Sequence, residues 1–141
     1  MTRGQERLAK RPEQPMLQGL ELIRHAIELR NASFDTPEIR DLLASHNVAQ
    51  VIADTVENPA RALTADFAYC RLQGPARPAA QGYETSDIAD WAGTIGAWDK
   101  AGKDVFAYFV HEDKLHAPAN AIALRQDLGL TLPGDSSHPR S

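Results

Sequence analysis

Between residues 24 and 130 the sequence alternates short β-rich runs with segments of helical periodicity, and this alternation limits the fold more than any other feature. The runs are HAIELR at 25–30, VAQVIADT at 48–55, FAYCRLQG at 67–74 and DVFAYFVH at 104–111. After the first, Thr36 is placed to cap a helix, Pro37 suits its first turn, and Ile39, Leu42 and Leu43 recur at helical spacing before Asn47 ends it. After the third, a loop from Pro75 to Gly82 leads to a helix starting at about Thr85, with Ile88, Trp91, Ala92 and Ile95 on one stripe and Gly102 at its end. After the fourth, Pro118 opens a helix carrying Ala121, Leu124 and Leu128, with Gly129 as its cap. The second crossover, around Asn58 and Pro59, reads as short or irregular.

Strands joined by helical crossovers run parallel, so the expected class is α/β with helices on at least one face of the sheet. An open doubly wound sheet and part of a (β/α)₈ barrel both satisfy this. Polar side chains at the strand ends (Glu28, Arg30, Asp54, Arg71, Gln73 and His111) favour the barrel, which gathers its binding groups there. The expectation is a partial TIM-type barrel of about four C-terminal βα units spanning residues 24–130. Residues 1–23 read as an arm or partial helix, and 131–141, rich in Pro, Gly and Ser, as a tail.

No apolar run approaches the roughly 20 residues that span a bilayer, and the first 15 residues carry no signal-type apolar stretch. With one cysteine, Cys70, which excludes an internal disulfide, this fits the cytoplasm. A net charge of −4 offers no basic excess for a phosphate backbone and weighs against nucleic acid as a partner.

Each polar residue has two readings. Glu28 and Arg30 lie two apart on a strand and share a side, as do Arg71 and Gln73. The first pair fits a clamp for an anionic or carbohydrate-like small molecule, with Glu28 as acid or base, or a structural ion pair closing the barrel top, and Arg71 suits a carboxylate or phosphate or else pairs with Glu28 or Asp54. Asp54 is a second catalytic candidate, able to orient a base or ligate a metal, or else the cap of the next turn. Tyr108 is a candidate ligand contact, or core together with Tyr69, Phe106 and Phe109. His111, Glu112, Asp113 and His116 match no compact metal spacing, so no metal is assigned and any cofactor is unknown. Trp91 and Trp98 read as helix residues packed on the sheet, and Cys70 as core. No G-x-S-x-G, Walker, G-x-G-x-x-G or H-E-x-x-H motif occurs.

Four segments resemble one family in order. RHAIELRNASF (24–34) resembles the E-x-R-x-x-S-(W/F) stretch of domain-of-unknown-function family 72, also called YecE-like, and TADFAYCRLQGP (64–75) its T-x-D-F-x-Y-x-R-x-H-G strand. The segment from Tyr83 to Trp91 resembles its Y-x-x-x-x-L-x-x-W helix, and VFAYFVHEDKLHAPANAIAL (105–124) its aromatic strand and following helix. The resemblance implies a TIM-type barrel of roughly 250 residues, of which this chain would hold the C-terminal half. It implies a polar pocket at the strand ends and no established reaction. Gln73 stands where the family usually has histidine, and Val110 where many members have asparagine. An amide neither titrates near neutral pH nor ligates metals well, so a histidine's chemistry does not carry over to Gln73.

Two functions follow as expectations. One is a barrel enzyme acting on an anionic or carbohydrate-like ligand. The other is a half barrel with no independent activity, completed by a homo-oligomer partner or by a separate first half.

Overall fold

Parallel β4 (Phe67–Leu72) organises the sheet because its pleat divides its side chains into two sets. The computed structural model describes residues 23–55, 62–74, 83–110 and 116–131. Before β4 come β1 (Ala26–Ile27), a 3₁₀ turn (Ala32–Phe34), α1 (Pro37–Ser45), β2 (Ala49–Gln50) and β3 (Ile52–Ala53). After it come α2 (Thr85–Lys100), β5 (Asp104–Phe109) and α3 (His116–Asp127). The expected arm, the tail, the Asn58–Pro59 and 75–82 loops, and His111, Glu112 and Asp113 lie outside or almost wholly outside the described residues.

All strand pairs are parallel: β1 with β2 in one sheet, and β3, β4 and β5 in order in another. This is the α/β class expected, without a closed barrel among the described residues. The run at 48–55, expected as one strand, serves two neighbours in turn. Ala49 and Gln50 lie opposite Ala26 and Ile27, Val51 donates to the Ile27 carbonyl at 2.8 Å, and Ile52 and Ala53 then lie opposite Cys70 and Arg71. Strand neighbours therefore follow chain order from β1 to β5.

Partners in a parallel ladder share a face. Cys70 and Leu72 are wholly buried, and with Ala68 and Ile52 they meet Ile88, Trp91 and Ile95 of α2 and Leu124 of α3. Trp98 and Leu128 pack at the margin of this cluster. Each fully buried leucine or isoleucine here contributes about 1.5–3 kcal/mol, so this face carries much of the hydrophobic stabilisation. The other face carries Phe67, Tyr69 and Arg71, in register with Asp104, Phe106 and Tyr108. Phe106 and Tyr108, which a β-strand of aromatics suggested as core, are 37% and 48% exposed because no described helix covers that face.

Local signals set the helix ends. The Thr36 hydroxyl accepts from the Ile39 N–H at 3.4 Å, with Pro37 in the first turn of α1. The Asp87 carboxylate accepts from the Glu84 N–H at 2.8 Å at the start of α2. Asn47, Gly102 and Gly129 follow the three helices with φ of 53°, 76° and 67°, the left-handed conformation that stops a helix. The last helix is described from His116, with the expected opener Pro118 inside its first described turn, where proline is tolerated. No described helix is long and apolar enough to cross a membrane.

The second crossover is fastened at its described end by Thr64. Its buried hydroxyl accepts from the Gln50 N–H and donates to the Val48 carbonyl, each at 2.7 Å. Thr64→Val leaves the buried Gln50 N–H and the half-buried Val48 carbonyl without that partner, and should cost roughly 1–3 kcal/mol. Urea unfolding followed by Trp fluorescence will measure the loss, and Thr64→Ser should restore most of it.

Candidate ligand-binding site

The sequence candidates divide between the two faces. Ala53 lies opposite Arg71 and shares its face, so Asp54, next along the chain, turns to the helix side. Its carboxylate accepts from the Trp91 indole N–H at 3.1 Å. The Tyr83 hydroxyl also bonds to Asp54, accepts from the Gly74 N–H at 3.1 Å, and its ring meets Phe109 edge-on at 5.4 Å. Asp54 thus joins the end of β3 to α2 and to the segment after β4, and is not beside Glu28 as a second catalytic carboxylate would be.

On the opposite face Glu28 binds the Arg71 guanidinium through one oxygen and approaches Arg30 Nε at 3.4 Å through the other. The ion pair of Arg71 is therefore with Glu28, of the two partners the sequence offered. The small Ala53 between them lets the arginine cross β3 and reach the segment after β1. Tyr108 is the register partner of Arg71, and its ring lies 5.3 Å from that of Tyr69, tilted by 35°. Gln73 follows on the same alternation, exposed at the strand end. Two guanidinium groups share one carboxylate here beside an accessible phenol ring.

At the other end of the strands Arg24 extends over Phe67 and Phe106, 5.3 and 5.7 Å from their ring centres, and binds Asp104 at 2.5 Å. Neither Arg24 nor Tyr83 stood out as a candidate group in the sequence. The parity of Arg24 with Glu28 and the register of Asp104 could have flagged the first, whereas only tertiary packing brings Tyr83 to Asp54.

An open groove of about 1190 Å³ runs elsewhere, between α2, α3 and the outer edge of β5, past Ile95, Val105, Ala107 and Leu128. Of the ligand candidates it touches only Tyr108. Charge and hydrogen-bonding capacity lie on the Glu28–Arg71 side, which is the better candidate for a small polar ligand. Among the described residues no group of His, Cys, Asp or Glu side chains is placed to hold a metal.

Burial raises the Tyr83 pKa well above its ordinary 10.0, and the nearby Asp54 carboxylate adds to the rise. A phenol that stays protonated only in the folded chain gives full stability below pH 10, lost as the pH climbs above the unfolded value. Stability should fall above that pH, and Tyr83→Phe should flatten the fall. Urea midpoints between pH 9 and 11 will show it.

The sequence profile of the family described as "Protein of unknown function DUF72" matches residues 3–140, beyond the 24–130 covered by the motifs. A solved DUF72 family protein from Enterococcus faecalis is similar at a TM-score of 0.65 and 22% identity, over 86% of this chain and 52% of that one. Another, from Thermotoga maritima, is similar at 0.65 and 22%, over 76% and 46%. At that identity the likeness is one of fold, and the chain spans about half the length of these structures. No curated protein matches. With its profile matched over nearly the whole sequence, the chain belongs to the DUF72 family of proteins of unknown function.

Proposed function

We propose that the chain is about four βα units of a (β/α)₈ barrel and binds a small anionic, carbohydrate-like molecule at the strand ends, through Arg30, Arg71, Gln73 and Tyr108. The barrel reading is supported by strand neighbours that follow chain order, where a doubly wound sheet reverses its order partway. It is also supported by Arg24, which reaches from beside β1 to the start of β5, about 14 Å away across a flat sheet of this strand spacing. A sheet curled toward this face brings the two closer.

The observation that carries the ligand reading is the sharing of Glu28 between Arg71 and Arg30. One carboxylate against two guanidinium groups leaves a positive excess, and Arg30, 78% exposed, is the arginine a solvent anion reaches first. The exposed Tyr108 ring offers a face for a sugar ring. Glu28 is the group available for acid or base work, and Asp54 is a positioning group on the other side of the sheet.

Titration calorimetry with inorganic phosphate and glucose 6-phosphate tests this. Both should bind, the sugar phosphate more tightly, and Arg30→Ala should weaken each about tenfold or more, the worth of a charge-assisted hydrogen bond. Tyr108→Ala should weaken only the sugar phosphate. Absence of binding, or affinities indifferent to Arg30→Ala, contradicts the reading.

A second reading, a half barrel inactive until its edges are covered, is favoured by β1 and β5. Each pairs with a strand on one side only among the described residues.

A further inference from the structure

We infer that Tyr83 is a positioning residue of the ligand site: from the helix side of the sheet it fixes the end of β4, and so aims Gln73 at the sugar part of the ligand. The inference rests on the ligand reading above and adds to it a source of selectivity.

The Gly74 N–H is held by a side chain where a strand would be expected to hold it. Val110 donates to the Leu72 carbonyl at 2.9 Å, and in a parallel ladder the next bond would run from the Gly74 N–H to the Val110 carbonyl. That N–H donates to the Tyr83 hydroxyl at 3.1 Å, which so takes the place of the next rung. Gly74 has a φ of 110°, an angle that glycine adopts readily, and the chain leaves the line of the strand there. Gln73 therefore lies between Leu72, held by the sheet, and Gly74, held by Tyr83. A backbone bracketed in this way sets the direction in which the Gln73 side chain leaves the polar face.

The Tyr83 hydroxyl is itself fixed from two sides. Its ring stands against Phe109, the register partner of Leu72. Its proton goes to Asp54, which leaves an oxygen lone pair for the Gly74 N–H. Asp54 in turn is tied to the rung that carries Arg71, because its own N–H donates to the Arg71 carbonyl at 3.5 Å, while its carboxylate accepts from Trp91. The chain of bonds thus starts at Arg71 and returns to β4 three residues later, holding Arg71 and Gln73 in a fixed relation from behind. The two side chains suit different parts of a ligand. A guanidinium matches phosphate oxygens, whereas a neutral amide that both donates and accepts matches the hydroxyls of a sugar. A disturbance at Tyr83 is therefore felt by the sugar and not by the phosphate.

Titration calorimetry with inorganic phosphate and glucose 6-phosphate tests this on the wild-type chain, Tyr83→Phe, Gln73→Ala and the double variant, with circular dichroism reporting folding. Tyr83→Phe keeps the ring and removes the hydroxyl. It should weaken glucose 6-phosphate about three- to tenfold, the range of one neutral hydrogen bond, and leave inorganic phosphate within about twofold. Beside Gln73→Ala the same change should weaken glucose 6-phosphate by less than about a further twofold, since the group it positions is gone. Equal weakening of both ligands marks a general loosening of the strand end and overturns the inference. No weakening of the sugar phosphate, or an effect undiminished beside Gln73→Ala, overturns it equally. If Tyr83→Phe does not fold, Asp54→Asn, which leaves one carbonyl oxygen for two donors, is judged by the same outcomes. A wild-type chain that binds neither ligand removes the ligand reading and this inference together, whereas binding that depends on Arg30 but not on Tyr83 removes this inference alone.

Discussion

Arg71 sits between Cys70 and Leu72, two residues wholly shielded from solvent, yet its guanidinium reaches a carboxylate beside β1. Only the pleat of β4 makes this possible, by sending alternate side chains to opposite sides. Register carries the same division to the neighbouring strands, with Ile52 following Cys70, and Ala53 and Tyr108 following Arg71. A slip of one residue would put Arg71 among Trp91 and Leu124 and set Cys70 and Leu72 toward solvent. The buried cluster under α2 and α3 thus holds the register, and the register builds the polar face.

Much of the fold was legible because its signals are local. Thr36 with Pro37, and the turn residues Asn47, Gly102 and Gly129, act within a few positions, and the structure places each at the helix end it marks. The alternation within residues 67–72 separated the two faces of β4 correctly. The division of the 48–55 run between two partners was not legible, because it depends on where β1 ends and β4 begins and on Thr64 fastening the chain between them. Nor was the exposure of Phe106 and Tyr108. Aromatic content marks a residue as able to be buried, and whether anything covers it is decided elsewhere in the molecule.

The candidate site shows the same boundary. Spacing put Glu28 and Arg30 together and gave Arg71 two possible partners, and the structure joins Arg71 to Glu28. Spacing alone could not assign Asp54 a face, since a strand-end carboxylate two positions from a chain switch can turn either way. The match of Asp54 to the Trp91 indole, 37 residues on, is set by the docking of α2. Long-range partners of this kind are fixed by packing, and one sequence without its fold does not contain them in readable form.

The small side chains of the middle strands set the dimensions of the polar face. Ala49, Val51 and Ala53 form its floor, buried beneath the long side chains that reach across from either side. Position 53 in particular acts as a depth gauge: a methyl group there leaves one side chain's thickness of space, now filled by the Arg71 guanidinium. A leucine would raise the floor and push the arginine outward, and a glycine would deepen the recess. Under the proposed binding role, two chains with identical polar residues would differ in the size of molecule they accept through this one alanine.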